Sequence, residues 1–207
     1  MRSALIVAAG VAPTAELIRS TQCDFVFAVD GGVGPLRAAE VPPTHLIGDM
    51  DSAAADDRAW AESHGAVVLD FPPAKDQTDL ELALVAAEEA GAEQLIVLGV
   101  AGGREDHSLG NWATLCSPRV ASVEVRSADS IAHVVRTALT MAGEAGDMIS
   151  IIPWGGTAEV STTGLRWPLT RAVLSPFEAL GISNEFVGES AGVAVHEGVA
   201  IVVRPTG

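Results

Sequence analysis

The chain has 207 residues, 48% of them hydrophobic, enough to bury a core in one large domain or two small ones. Its net charge of −15 and pI near 4.5 leave no basic stripe to neutralise a phosphate backbone, which argues against nucleic-acid binding. No apolar run approaches the roughly 18 residues that a membrane-spanning helix needs, and Cys23 and Cys116 form neither a Cys-x-x-Cys pair nor a ligand spacing with histidine, so the expected setting is the cytoplasm.

Short apolar runs alternate with helical patterns over the first 126 residues. The runs are Ala4–Ala9, Phe25–Val29, His45–Ile47, Val67–Leu69, Gln94–Leu98 and Val120–Arg126. Continuous runs of this kind suit strands buried on both faces, hence a parallel sheet with helices on either side. Only 4% of residues are aromatic and tyrosine is absent, so the core must be built from Val, Leu, Ile and Ala.

Six aspartates sit in four clusters at the ends of these runs. Asp30-Gly31-Gly32 follows the second run: an acid at a strand tip, then backbone bare of side chains. Gly48-Asp49-Met50-Asp51-Ser52 follows the third. If it stays extended, Asp49 and Asp51 point to one side and can share a cation; Ser52 capping a helix over Ala54–His64 is the competing use of that turn. Lys75-Asp76-Gln77-Thr78-Asp79 comes next, where Thr78 and Glu81 form a Thr-x-x-Glu capping box. A helix over Thr78–Ala90 then carries Leu80, Ala83, Leu84 and Ala87 on one face and stops at Gly91.

The helix dipole favours Asp76 and Asp79 near that start. Lys75, the only lysine in the chain, suits a phosphate oxygen, though a solvated surface lysine is the plainer reading. The fourth cluster, Gly102-Gly103-Arg104-Glu105-Asp106-His107, precedes a helix expected over Ser108–Cys116. Arg104 can clamp a phosphate, Asp106 can cap the helix, and His107 is either a general base or structural. Carboxylates delivered to one edge of a sheet repel unless a cation lies among them; Mg²⁺ with a polyphosphate is the natural pair. No Gly-x-x-x-x-Gly-Lys-Ser/Thr loop and no Gly-x-Ser-x-Gly elbow is present.

Beyond residue 127 the pattern changes. Ile131–Val135, Met148–Pro153, Glu159–Ser161, Phe186–Val187, Val193–His196 and Val199–Val203 are short, Val/Ile-rich and separated by Gly-containing turns, with a loop-rich stretch over 162–185. This predicts an antiparallel sandwich or barrel. The fold expected is α/β: an N-terminal parallel-sheet domain over 1–127, then a smaller C-terminal antiparallel β-sandwich over 128–207.

The order of the motifs resembles the thiamine pyrophosphokinase (thiamine diphosphokinase) family. Asp-Gly-Gly at 30–32, Gly-Asp-x-Asp-Ser at 48–52, Lys-Asp-x-Thr-Asp at 75–79 and Gly-Gly-Arg-x-Asp-His at 102–107 are followed by Gly164-Leu165-Arg166-Trp167 and Ser183-Asn184-Glu185. The resemblance implies transfer of pyrophosphate from Mg-ATP to the hydroxyl of thiamine, giving thiamine diphosphate and AMP. It also implies a homodimer with thiamine held between subunits. By the same resemblance Asp49, Asp51, Asp76 and Asp79 organise Mg²⁺ and the triphosphate. Asp30, Gly31, Gly32, Lys75, Gly103, Arg104, Asp106 and His107 shape the nucleotide and catalytic pocket. Trp167, Ser183 and Asn184 contact thiamine; a tryptophan face suits a flat cation, and the alternative for Trp167 is a core anchor. Position 105 is Glu, where the family often has an aromatic. Two other readings stand beside this one: a Mg-dependent nucleotide hydrolase or nucleotidyl transferase, and a non-catalytic binder of thiamine or nucleotide.

Overall fold

The computed structural model describes residues 1–49, 53–72, 76–118, 120 and 122–206. Met50, Asp51, Ser52 and Lys75 thus lie outside the described residues. The chain divides into two compact units, Met1–Ala128 and Asp129–Gly207.

Among its described residues the first unit holds six strands: β1 (Ser3–Val7), β2 (Phe25–Val29), β3 (His45–Gly48), β4 (Val67–Asp70), β5 (Gln94–Leu98) and β6 (Ser122–Arg126). They lie in the order β6-β5-β1-β2-β3-β4, and every neighbouring pair is parallel. In β1, β2 and β5 all residues after the first are buried, which is why these strands read as unbroken apolar runs.

Among the described residues five α-helices accompany them: α1 (Ala15–Ser20), α2 (Val33–Ala38), α3 (Ala55–Ser63), α4 (Asp79–Glu89) and α5 (Glu105–Leu115). Ile18, Val33, Leu36 and Ala61 of α1–α3 share a core with Leu5, Val7, Val26, Ala28, Leu46, Ile96 and Leu98. The alternate residues Ile6, Phe27 and Ile47 point to the opposite face. There α4 lies against β1, β2 and β3, with Leu80, Ala83, Leu84 and Ala87 buried.

The expected start of α4 is present, because Thr78 Oγ1 accepts the Glu81 N–H at 3.2 Å. Its end is a Schellman turn: Ala92 N–H bonds to Ala87 O, Gly91 N–H to Glu88 O, and Gly91 has φ +89°. Two expectations shift. Helix α5 begins at Glu105 rather than Ser108, since Arg104 is the last extended residue, so Asp106 lies inside the first turn instead of capping it. Ala54 is the N-cap of α3 and makes no side-chain cap bond.

The second unit contains β7 (Ser130–Val135), β8 (Ala138–Ala142), β9 (Met148–Pro153), β10 (Ala158–Thr163), β11 (Ala172–Leu174), β12 (Asn184–Glu185), β13 (Ser190–Glu197) and β14 (Ala200–Pro205). One antiparallel sheet runs β12-β9-β14-β7 and the other β11-β10-β13-β8. Burial alternates along β9, β10 and β13. The inward residues of both sheets, Ile149, Ile151 and Val202 with Val160, Val193 and Val195 among them, form one core, which makes the unit a sandwich. Strands β8 and β11 were not expected. Only Met141 is buried in β8, and β11 is a three-residue edge inside the loop-rich stretch. The strand expected at Phe186–Val187 is displaced to Asn184–Glu185, and Phe186 lies beyond it with an isolated bridge to Leu165.

Candidate active site

In the first unit the chain runs outward from β1 to β4, then returns to the other side of β1 for β5. This reversal is a topological switch point, the place where open α/β sheets bind ligands beyond the carboxyl ends of their strands. The loops after β1 and β5 are tied there by backbone bonds from Ala8 N–H to Leu98 O (2.9 Å), Gly10 N–H to Gly99 O (2.9 Å) and Val11 N–H to Ala101 O (2.8 Å).

A cleft of about 430 Å³ opens over this point. Its walls come from three of the four acidic clusters: Asp30 at the tip of β2, Thr78 and Asp79 at the start of α4, and Gly102, Gly103, Arg104, Asp106 and His107 ahead of and within the first turn of α5. Residues 72 positions apart in the chain thus meet in one space. Gly31, Gly32, Asp49 and Asp76 do not line it.

The Asp49 motif touches the cleft through Gly48. Asp30 holds a left-handed backbone (φ +45°), and its carboxylate lies over Gly48, the residue before Asp49. A Cβ on Gly48 would fall 1.6 Å from Asp30 Oδ1, and Gly48 itself has φ +149°. We therefore expect Gly48→Ala to displace the Asp30 carboxylate and to destabilise the protein by about 1–3 kcal/mol, the usual range for local backbone strain. A melting curve and an activity assay that match the parent protein would contradict this packing. Gly32 answers the same need for close approach, because a Cβ there would meet the Val7 carbonyl oxygen at 2.0 Å.

Arg104 and Asp106 form a bidentate pair, Nε to Oδ1 at 3.1 Å and Nη2 to Oδ2 at 2.6 Å, and Asp106 Oδ1 also accepts the His107 N–H at 3.0 Å. Hydrogen bonding from Arg104 holds the Asp106 carboxyl below the usual 3.8, at about 2. A carboxyl depressed in this way stays ionised until the pH falls toward 2. The pH–rate profile should therefore carry no ionisation of Asp106 between about pH 4 and 9. A limb in that range that vanishes in Asp106→Asn would contradict it.

Two residues that the sequence reading passed over hold this loop. Ser108 Oγ accepts the Gly102 N–H (3.0 Å) and donates to Arg104 O (3.2 Å), and Asn111 Nδ2 donates to Val100 O (2.8 Å). Their signal was spacing on α5: with Arg104 they recur at intervals of four and three.

Among the described residues, no three His, Cys, Asp or Glu side chains cluster tightly enough to enclose a metal unaided. Mg²⁺ needs less than that, since it commonly takes one or two carboxylates and completes its shell with substrate phosphate and water. The carboxylate oxygens of Asp30 and Asp79, which both line the cleft, suit such binding.

In the second unit, Trp167 is 51% exposed and stands outside the sandwich core, so it is no core anchor. The Arg166 guanidinium lies over its ring, with Cζ 5.0 Å from the centroid, and is held by Glu185 at 2.8 Å. Ser183 is exposed with a left-handed backbone (φ +59°). Asn184 is buried, and its amide bonds to the Trp167 backbone.

Comparison with known proteins matches both halves of the chain. Residues 18–126 match the family model for the thiamin pyrophosphokinase catalytic domain, and residues 133–200 match the thiamin pyrophosphokinase vitamin B1 binding domain. A thiamine pyrophosphokinase of Bacillus subtilis is 30% identical over 186 residues, 86% of each chain. The crystal structure of thiamine pyrophosphokinase from Bacillus subtilis superposes with a TM-score of 0.86 over all of both chains at 28% identity. That from Geobacillus thermodenitrificans gives 0.82 at 29% identity, over 99% of this chain and 98% of the other. The chain belongs to the thiamin pyrophosphokinase family, whose members are enzymes that move pyrophosphate from ATP to thiamine.

Proposed function

We propose that the cleft over the switch point holds Mg²⁺-ATP and that the first unit is the catalytic domain of a thiamine diphosphokinase, with the second unit as its thiamine-binding domain. The carrying observation is the meeting of Asp30, Asp79, Arg104 and Asp106, from three separate motifs, in one cleft at the sheet's reversal.

The reaction forms a bond between the thiamine hydroxyl oxygen and the β-phosphorus of ATP. The bond from that phosphorus to the bridging oxygen of the α-phosphate breaks, AMP leaves, and the alcohol loses its proton. Such transfers need mainly alignment and neutralisation of charge. Asp30, Asp49 and Asp79, joined by Asp51 and Asp76 from the same motifs, would hold Mg²⁺, which supplies charge neutralisation on the phosphates when bound. Arg104 and Lys75 present cations to phosphate oxygens, while Gly31, Gly32 and Gly103 let backbone approach closely. His107 stands at the cleft wall. Asp79, at the start of α4, is the first candidate to take the alcohol proton. Trp167 offers a stacking face to thiamine, with Ser183 and Asn184 beside it.

The enzyme works as a cytoplasmic homodimer with its site at the subunit interface. Val173, Phe177, Leu180 and Ile182 leave apolar surface exposed along the stretch that leads to Asn184, and Val187 just beyond it, which is the kind of surface a partner covers. Cys23 forms no disulfide, as expected in a reducing compartment. Among the described residues no helix is long and apolar enough to cross a membrane.

Calorimetric titration with a non-hydrolysable ATP analogue tests the nucleotide site. Binding should weaken about tenfold or more when EDTA replaces Mg²⁺ and again in Asp30→Asn, in keeping with loss of charge neutralisation. Equal affinity under all three conditions would overturn the placement. Sedimentation should give twice the 21.2 kDa chain mass; a monomer at micromolar concentration would overturn the dimer.

A further inference from the structure

We infer that Asn184 is a positioning residue, serving the thiamine site through Trp167 rather than by touching the ligand. The inference rests on the reading of Trp167 as the stacking surface. Segments 164–167 and 184–187 run side by side. Val187 N–H bonds to Gly164 O (3.0 Å), Leu165 bridges Phe186, and Arg166 N–H bonds to Glu185 O (2.9 Å).

In this antiparallel register Trp167 lies opposite Asn184, and the next backbone pair would be Pro168 with Ser183. The ladder stops there, because Pro168 has no N–H to donate and Ser183 has a left-handed backbone (φ +59°). Beyond its end the side-chain amide of Asn184 takes up the Trp167 peptide groups. Its Oδ1 accepts the Trp167 N–H at 3.1 Å, and its Nδ2 donates to the Trp167 carbonyl at 2.7 Å. Oδ1 also accepts the Glu185 N–H at 2.9 Å.

Both acceptor sites and one of the two donors of the amide are therefore spent on backbone, and the residue is only 6% exposed. The amide orientation is fixed, since two N–H groups face Oδ1 and a carbonyl faces Nδ2. The indole itself is braced separately by Arg166, which Glu185 holds. An amide so occupied and so buried has little left to offer an aminopyrimidine. What it controls is where the Trp167 backbone sits, and hence where the indole stands.

The test is a double-mutant cycle on thiamine kinetics with Asn184→Asp and Trp167→Ala. Asn184→Asp keeps oxygens for both N–H groups but sets a carboxylate oxygen against the Trp167 carbonyl. It should raise the KM for thiamine about tenfold with kcat little changed, and the double variant should be no worse than Trp167→Ala alone, as expected for residues acting as one unit. Acrylamide quenching of the Trp167 emission, read as the difference from Trp167→Phe, should increase in Asn184→Asp without any ligand present. If Asn184→Asp does not fold, Asn184→Ser carries the same measurements. Fully additive effects on KM, with unchanged quenching, would show Asn184 touching the ligand and overturn the inference. An unchanged KM in Trp167→Ala would instead overturn the reading of Trp167 on which it stands.

Discussion

Asp79→Asn is expected to lower kcat by on the order of a hundredfold or more, the usual cost of removing one electrostatic group from a transition state. The substitution is nearly isosteric. Thr78, not Asp79, caps α4 through the Glu81 N–H, so the helix start survives it. Asp79 is the first residue of α4 and lines the cleft. From there its carboxylate faces the space in which cations gathered on the triphosphate would sit. The loss should appear in kcat, with an unchanged melting temperature. A near-normal kcat would remove Asp79 from the reacting centre.

Trp167→Ala should raise the KM for thiamine by about tenfold or more, the scale of a cation–π and stacking surface lost from a binding site. Folding should be untouched, because the indole is half exposed and absent from the sandwich core that Ile149, Val160 and Phe186 build. Thermal melting beside steady-state kinetics separates the two outcomes. Lost stability with unchanged thiamine affinity would return Trp167 to a structural role.

The parallel sheet was legible because its strands are buried on both faces, and such strands write themselves as continuous Val, Leu and Ile runs. The Thr78 cap and the Gly91 stop of α4 were legible because each is local chemistry. Other elements carry no such signature. Helices α1 and α2 have six residues each, too few for a periodic stripe. Strands β8 and β11 are edges, where one covered neighbour suffices and side chains are free to be Ala, Thr or polar. The first residue of α5 was misplaced because Glu105 and Asp106 in a first turn look like loop residues until the Arg104 backbone is known.

In the site, the carboxylate-bearing tips were legible as motifs, but not the walls between them. Ala8, Ala9 and Gly10 line the cleft with backbone and methyl groups that no chemical pattern marks. The packing of Asp30 onto Gly48 depends on a left-handed Asp, which sequence does not reveal. Asn184 was read as a ligand contact. Its bonds to Trp167 join residues 17 apart in the chain, and only folding decides that pairing.

The most direct test of the central claim follows the β-phosphorus of ATP. With ATP labelled at that atom, thiamine and Mg²⁺, the label should pass into thiamine diphosphate, with one AMP formed for each. Label released as ADP or as free phosphate, at a rate indifferent to thiamine, would contradict it.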